Sequence, residues 1–251
     1  MSTDTPKLRN APIVEAVLDI DCDTPPDVEL AELEEPARER FGDQYPKARK
    51  RVSHEVTLQG MGEALSSLST RHGLQAHQFL TDDEKQLVQV RDQGFSFNRL
   101  APYTSLDDYL PEIERTWRQY VELAGPVITR QVRLRYINRM ALPMEAGQIN
   151  LDDFLRIGPR LPDEETLLLT GFLVQQTAIE QDSKHPVNLI LRSLSSEDDA
   201  LPVILDITAA HPLETTPGDW DAIVETVQSL RRLKNRVFRN ILTDQCMQLF
   251  Q

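Results

Sequence analysis

The stretch Arg130–Met140, RQVRLRYINRM, constrains the fold more than any other. Val132, Leu134, Tyr136 and Met140 fall at even positions, and Arg133, Arg135 and Arg139 at odd ones. Side chains alternate across a strand, so the segment predicts one extended strand with an apolar face and an arginine face. It lies just past the middle of the chain, where a second copy of a structural unit begins.

Upstream, Ile13–Asp23 reads as another strand, with Val14, Ala16, Leu18 and Ile20 on one face and Glu15, Val17 and Asp19 on the other. Pro12 suits its start, since proline fits only the first residue or the edge of a sheet. Thr24–Asp27 stops the strand, and Asp27 is placed to cap the next segment. Val28–Phe41 carries a rough helical stripe interrupted by Pro36, which predicts a kink or two short helices. The basic run Lys47–Arg51 leads into a strand. Gly73–Phe79 and Lys85–Leu100 read as two arms of a hairpin around Thr81–Glu84. A helix follows over Leu106–Ala124, with Tyr109, Ile113, Trp117 and Tyr120 on its apolar face. Pro111 belongs in a first turn, so the start is expected near Asp108.

Past the arginine strand come a short helical piece at Leu151–Ile157 and a long strand at Thr166–Glu180. Val187–Ser195 and Leu201–Ala209 then form a hairpin around Glu197–Asp199, followed by a loop at His211–Gly218. Asp219 caps a last helix whose stripe runs through Ile223, Val227, Leu230 and Ile241. Arg231, Arg232, Lys234, Arg236 and Arg239 are expected mostly on its solvent face.

The order is β-α-β-β-β-α, given twice, over residues 1–126 and 127–251. Layout, rather than residue identity, carries this reading. The expected fold is α+β: one antiparallel sheet from two pseudo-symmetric halves forming one continuous domain, with the helices on one face. The saddle of the TATA-box-binding protein is the architectural analogue. Joined through their first strands, the halves would set Glu15 and Asp19 against Arg133, Arg135 and Arg139.

With 27 basic and 40 acidic residues the net charge is −13, which repels phosphate backbones at long range and disfavours non-specific nucleic-acid binding. Cys22 and Cys246 form no CxxC pair, no apolar run reaches the length of a membrane span, and MSTDTPKLRN has no signal core. A cytoplasmic protein with reduced thiols is expected, without cofactor or membrane.

The five histidines, His54, His72, His77, His185 and His211, lack metal-ligand spacing. No nucleophile elbow, P-loop or dinucleotide fingerprint occurs. The basic groups carry more weight. Arg91, Arg99, Arg133, Arg135 and Arg139 are the candidate binding residues of one sheet face, with Asn98 and the aromatics Phe95 and Phe97 nearby. An open sheet of arginines and aromatics can stack bases or grip phosphates. The competing reading pairs them with Glu15, Asp19 and other carboxylates, and the acid excess favours it.

Four strings stand out together: LRNAPIVEAVLDI (Leu8–Ile20), GFSFNRLAPY (Gly94–Tyr103), RYINRM (Arg135–Met140) and LKNRVFRNILTD (Leu233–Asp244). With them the chain resembles a sporadically distributed family of bacterial proteins of about this length and unassigned function. Such a distribution resembles that of genes travelling with mobile or defence-type loci, and the family offers no catalytic residues to carry over. The leading expectation is a non-catalytic binding or regulatory protein whose partner is another protein or a second copy. The alternatives are nucleic-acid or nucleotide recognition on the arginine face, and an enzyme with an unfamiliar site.

Overall fold

The computed structural model describes residues 8–60, 65–162, 166–167, 169–195 and 199–251; of 54–60 and 65–72 it describes the backbone. The side chains of His54 and His72 and the turn residues Glu197 and Asp198 lie outside the described residues. The strands are β1 (Ile13–Asp23), β2 (Lys47–Gly60), β3 (Leu65–Leu80), β4 (Gln86–Arg91), β5 (Gly94–Leu100), β6 (Ile128–Pro143), β7 (Leu173–Ile179), β8 (Pro186–Ser193) and β9 (Ala200–Thr215). The helices are α1 (Glu34–Phe41), α2 (Leu106–Ala124), α3 (Trp220–Ile241) and α4 (Asp244–Gln248), with 3-10 turns at Leu30–Leu33 and Leu151–Asp153.

The fold is α+β. The nine strands among the described residues join one antiparallel sheet in the order β2-β3-β4-β5-β1-β6-β9-β8-β7. The arginine strand is β6, at the sheet's centre, and its neighbour is β1, paired as Leu18 with Leu134 and Asp19 with Arg133. Alternation decides which face is covered. Leu18 and Ile20 of β1, Phe95 and Phe97 of β5, Val132, Leu134 and Met140 of β6, and Leu205 and Ile207 of β9 are buried. Against them pack Ala37 and Phe41 of α1, Ile113, Trp117 and Tyr120 of α2, and Ile223, Val227 and Leu230 of α3, all in one continuous cluster. Each helix presents an apolar stripe at helical spacing, so one layer of helices suffices for one sheet face.

Several boundaries differ from the sequence reading, each for a local reason. Lys85–Leu100 is two strands, because Asp92-Gln93 makes a two-residue turn that pairs Arg91 with Gly94. The first half therefore has one strand more than expected, and among the described residues the second has a single 3-10 turn where the first has α1. α2 starts at Leu106, capped by Ser105, whose side chain accepts from the Asp107 N–H, so Pro111 lies inside the helix rather than in its first turn. Asp27 caps nothing: the first 3-10 turn begins after Glu29, with no side-chain cap. β7 covers only Leu173–Ile179 of the expected long strand. β9 runs through His211 to Thr215, where a loop was expected. Pro212 is tolerated there because the β6–β9 register shifts between Thr129 and Gln131. Asp219 does cap α3, accepting from the Ala222 N–H at 3.1 Å.

Candidate functional site

The face away from the helices is concave. Ser53 of β2, Gln78 of β3, Gln89 of β4, Ser96 of β5, Arg133 and Arg135 of β6 and Asn188 of β8 line one hollow of about 960 Å³. Strands far apart in the sheet share a cavity only if the sheet curves, as its inherent twist favours.

Four of the five candidate arginines belong to this face, and carboxylates of neighbouring strands stand beside three of them. Arg91 donates to Asp21 at 2.6 Å and to the Phe95 carbonyl at 3.1 Å. Arg133 reaches Asp21 at 3.0 Å and Asp19 at 3.5 Å. Arg135 grips Asp206 of β9 through Nε at 3.0 Å and Nη2 at 2.5 Å. This bidentate hydrogen bond raises the Arg135 pKa against the opposing effect of burial. Arg139 is at the exposed end of the same face. Arg99 is the exception. Its Cα pairs with Ala16, on the helix side, and its guanidinium lies 5.1 Å from the Tyr109 ring centroid. Phe95 and Phe97 also point into the core, so the concave face presents neither of these aromatics.

Amides and hydroxyls complete the lattice. Gln78 donates to Gln89, Gln89 to Asn98 and Asn98 to Glu15, at 2.8, 2.8 and 2.6 Å. Ser96 donates to Asp19 at 2.5 Å. Glu15, Asp19, Asp21 and Asp206 thus stand against Arg91, Arg133 and Arg135. Phosphate recognition needs cations with spare donors, and these arginines are occupied by carboxylates of the same sheet.

The two edges of the sheet contrast. β2 opens with Lys47, Arg49, Lys50 and Arg51, charges that discourage strand addition. β7, LVQQTAI, has no charge and no proline, and Leu173 and Ile179 are 68% and 66% exposed. Among the described residues no strand covers its outer side.

A second, smaller cavity of about 320 Å³ lies on the helix side, between α3, β6, the β5–α2 connection and the residues before β1. Sequence reasoning missed it, because it assigned Lys234 to the solvent face of the last helix. Lys234 is only 8% exposed. It stands seven residues after Val227 and four after Leu230, in register with the buried stripe, and that spacing was the available signal.

Thiol and metal chemistry gain no support from geometry. Burial pushes the Cys22 thiol up to about 12 and that of Cys246 up to about 11, far from the range of a reactive thiolate. Among the described residues no three His, Cys, Asp or Glu side chains are grouped to hold a metal ion. His185 and His211 do stack edge to face at 4.6 Å, and His185 meets Ser229 at 3.1 Å. Burial, with His211 adding to it, lowers the His185 pKa. No helix among the described residues is long and apolar enough to cross a membrane. Compared with known families and curated proteins, the chain matches no family model and no curated sequence.

Proposed function

We propose that this is a non-catalytic binding and regulatory protein that acts through protein contacts, and that its first partner is a second copy of itself. The observation that carries the reading is the uncharged outer edge of β7. An exposed strand edge offers a row of unpaired N–H and C=O groups, which proteins ordinarily guard with charge or proline. Here one edge is guarded and the other is not.

The sequence of β7 fits itself. Phe172 accepts from the Ser193 N–H of β8, and the Glu180 N–H donates to His185, so the even-numbered residues bond inward. The polar groups of Leu173, Gln175, Thr177 and Ile179 therefore point outward. An antiparallel pair centred on Gln176 sets Leu173 of each copy against Ile179 of the other and Gln175 against Thr177. Two exposed apolar side chains become cross-strand neighbours at each end. The uncharged strand also lets two chains of charge −13 meet without close repulsion at the seam.

The same proposal takes the chain as an internal duplication with a saddle-like sheet. Its support is the strand order, in which β3-β4-β5-β1 on one side of the centre corresponds to β7-β8-β9-β6 on the other. On this view β2 is an addition that closes one edge and leaves the equivalent edge free for a partner.

Sedimentation equilibrium tests the reading. The wild-type chain is expected to be a dimer, and Gln176→Lys, which sets two like charges on the two-fold axis, is expected to be a monomer with an unchanged circular dichroism spectrum. A wild-type chain that stays monomeric well above micromolar concentration, or a Gln176→Lys variant that dimerises as before, would overturn it.

A further inference from the structure

The helix-side cavity holds a charge without a counter-charge. Lys234 lies on the buried stripe of α3, and its Nζ sits 3.6 Å from the centroid of the Tyr136 ring of β6. Among the described residues it forms no ion pair. Asp107, at the start of α2, is the carboxylate closest in role, and it is taken: Arg231 donates to its two oxygens at 2.7 and 2.8 Å. The other groups facing the lysine are phenols and cations. Tyr103 and Tyr136 share a hydrogen bond at 2.8 Å, and both phenols are pushed up by burial. Arg231 and Arg239 line the same walls.

A buried ammonium without a carboxylate is costly, and the Tyr136 face offsets only part of that cost. Burial, with repulsion from Arg231 added, brings the lysine down to about 7. Leucine or methionine would fill the same stripe position without penalty, so packing alone gives no reason for a lysine. The cavity around it is mixed in character. Leu8, Ile13, Phe238 and Met247 supply apolar wall, and Asn138 and Asn235 supply amides. All four distinctive sequence strings meet here, through Pro12, Tyr103, Tyr136 and Lys234.

We infer that this cavity is a binding site for a small organic carboxylate, with Lys234 as the counter-ion to the carboxylate and the apolar wall receiving the rest of the molecule. The volume of about 320 Å³ is at the small end of ligand pockets. A singly charged headgroup fits better than a phosphate dianion, because Arg231 is already engaged by Asp107. Binding requires the ammonium, so above pH 7 the site must take up a proton as it fills.

Calorimetry on the full chain tests this, with benzoate and hexanoate as probes, benzamide as a neutral counterpart and inorganic phosphate as the competing anion. One carboxylate per chain is expected to bind at pH 6, and benzamide is expected not to. Affinity is expected to fall about tenfold per pH unit above 7, and Lys234→Met to abolish binding while unfolding cooperatively. No carboxylate binding at pH 6, undiminished binding by Lys234→Met, or tighter binding of phosphate would each overturn it. A Lys234 amine signal whose titration midpoint does not rise on saturation with benzoate would do the same. Repeating the titration on Gln176→Lys keeps the outcome independent of the β7 contact.

Discussion

Lys234 concentrates the residue-scale energetics of the molecule. Its folded pKa lies near 7, whereas an unfolded lysine titrates near 10.4. Below pH 7 both states are protonated and the folded state bears the full cost of the buried charge. Between pH 7 and about 10 the unfolded state binds a proton that the folded state does not, so stability rises with pH. The rise should approach roughly 3–5 kcal/mol, from about 1.4 kcal/mol per pKa unit. Urea titrations of the unliganded protein from pH 6 to 10 measure it. Lys234→Met should be more stable than wild type at pH 6 and should lack the slope; a wild-type stability flat over this range would contradict the assignment. The concave face behaves in the opposite way. Its arginines and carboxylates satisfy one another, which is why a strand full of arginine is compatible with a strongly acidic chain.

At the scale of elements, Gly94 shows how one residue supports a sheet. It opens β5 with φ at +135°, and an added Cβ would fall 2.1 Å from the Ile20 carbonyl oxygen of β1. Only glycine permits both the conformation and the close approach. Gly94→Ala should therefore force β1 and β5 apart and cost about 3 kcal/mol or more, read as a lower urea midpoint. A loss under about 1 kcal/mol would show that β5 can shift without disturbing the seam. The same region explains what the sequence concealed. The alternation in QLVQVRDQGFSFNRL continues across the Asp92-Gln93 turn with no break in hydrophobic pattern, so one strand and two look alike. By contrast, β1 was legible to the residue at both ends, because Pro12 and Thr24–Pro26 bracket it, and α2 was legible at its C-terminal end, where Gly125-Pro126 stops it, but not at its start. The extension of β9 past Pro212 was not legible, since it depends on the equal length of its partner β6.

On the scale of the whole molecule, β1 and β6 join the two halves along the centre of the sheet, from Ile13 against Asn138 to Asp23 against Ile128. Cutting there exposes Leu18, Ile20, Val132 and Leu134 at new edges. Residues 1–126 and 127–251 expressed separately should each lack a cooperative thermal transition, and mixing them should restore one. A half that melts cooperatively alone would mean that the seam is dispensable. The composition and periodicity of the chain were enough to determine an α+β architecture, the faces of β1 and β6, the stripes of α2 and α3 and the cap at Asp219, because those depend on neighbours within a few residues. The alternation of Phe95, Phe97 and Arg99 already set Arg99 on the core side of β5; tertiary structure alone decided that Arg135 is held by Asp206 and that, among the described residues, β7 is left at an open edge. It also placed Lys234 in a cavity where, among the described residues, it has no counter-ion. Each of those outcomes depends on which distant segment lies alongside, and a pattern read along one strand or helix carries no information about its partner.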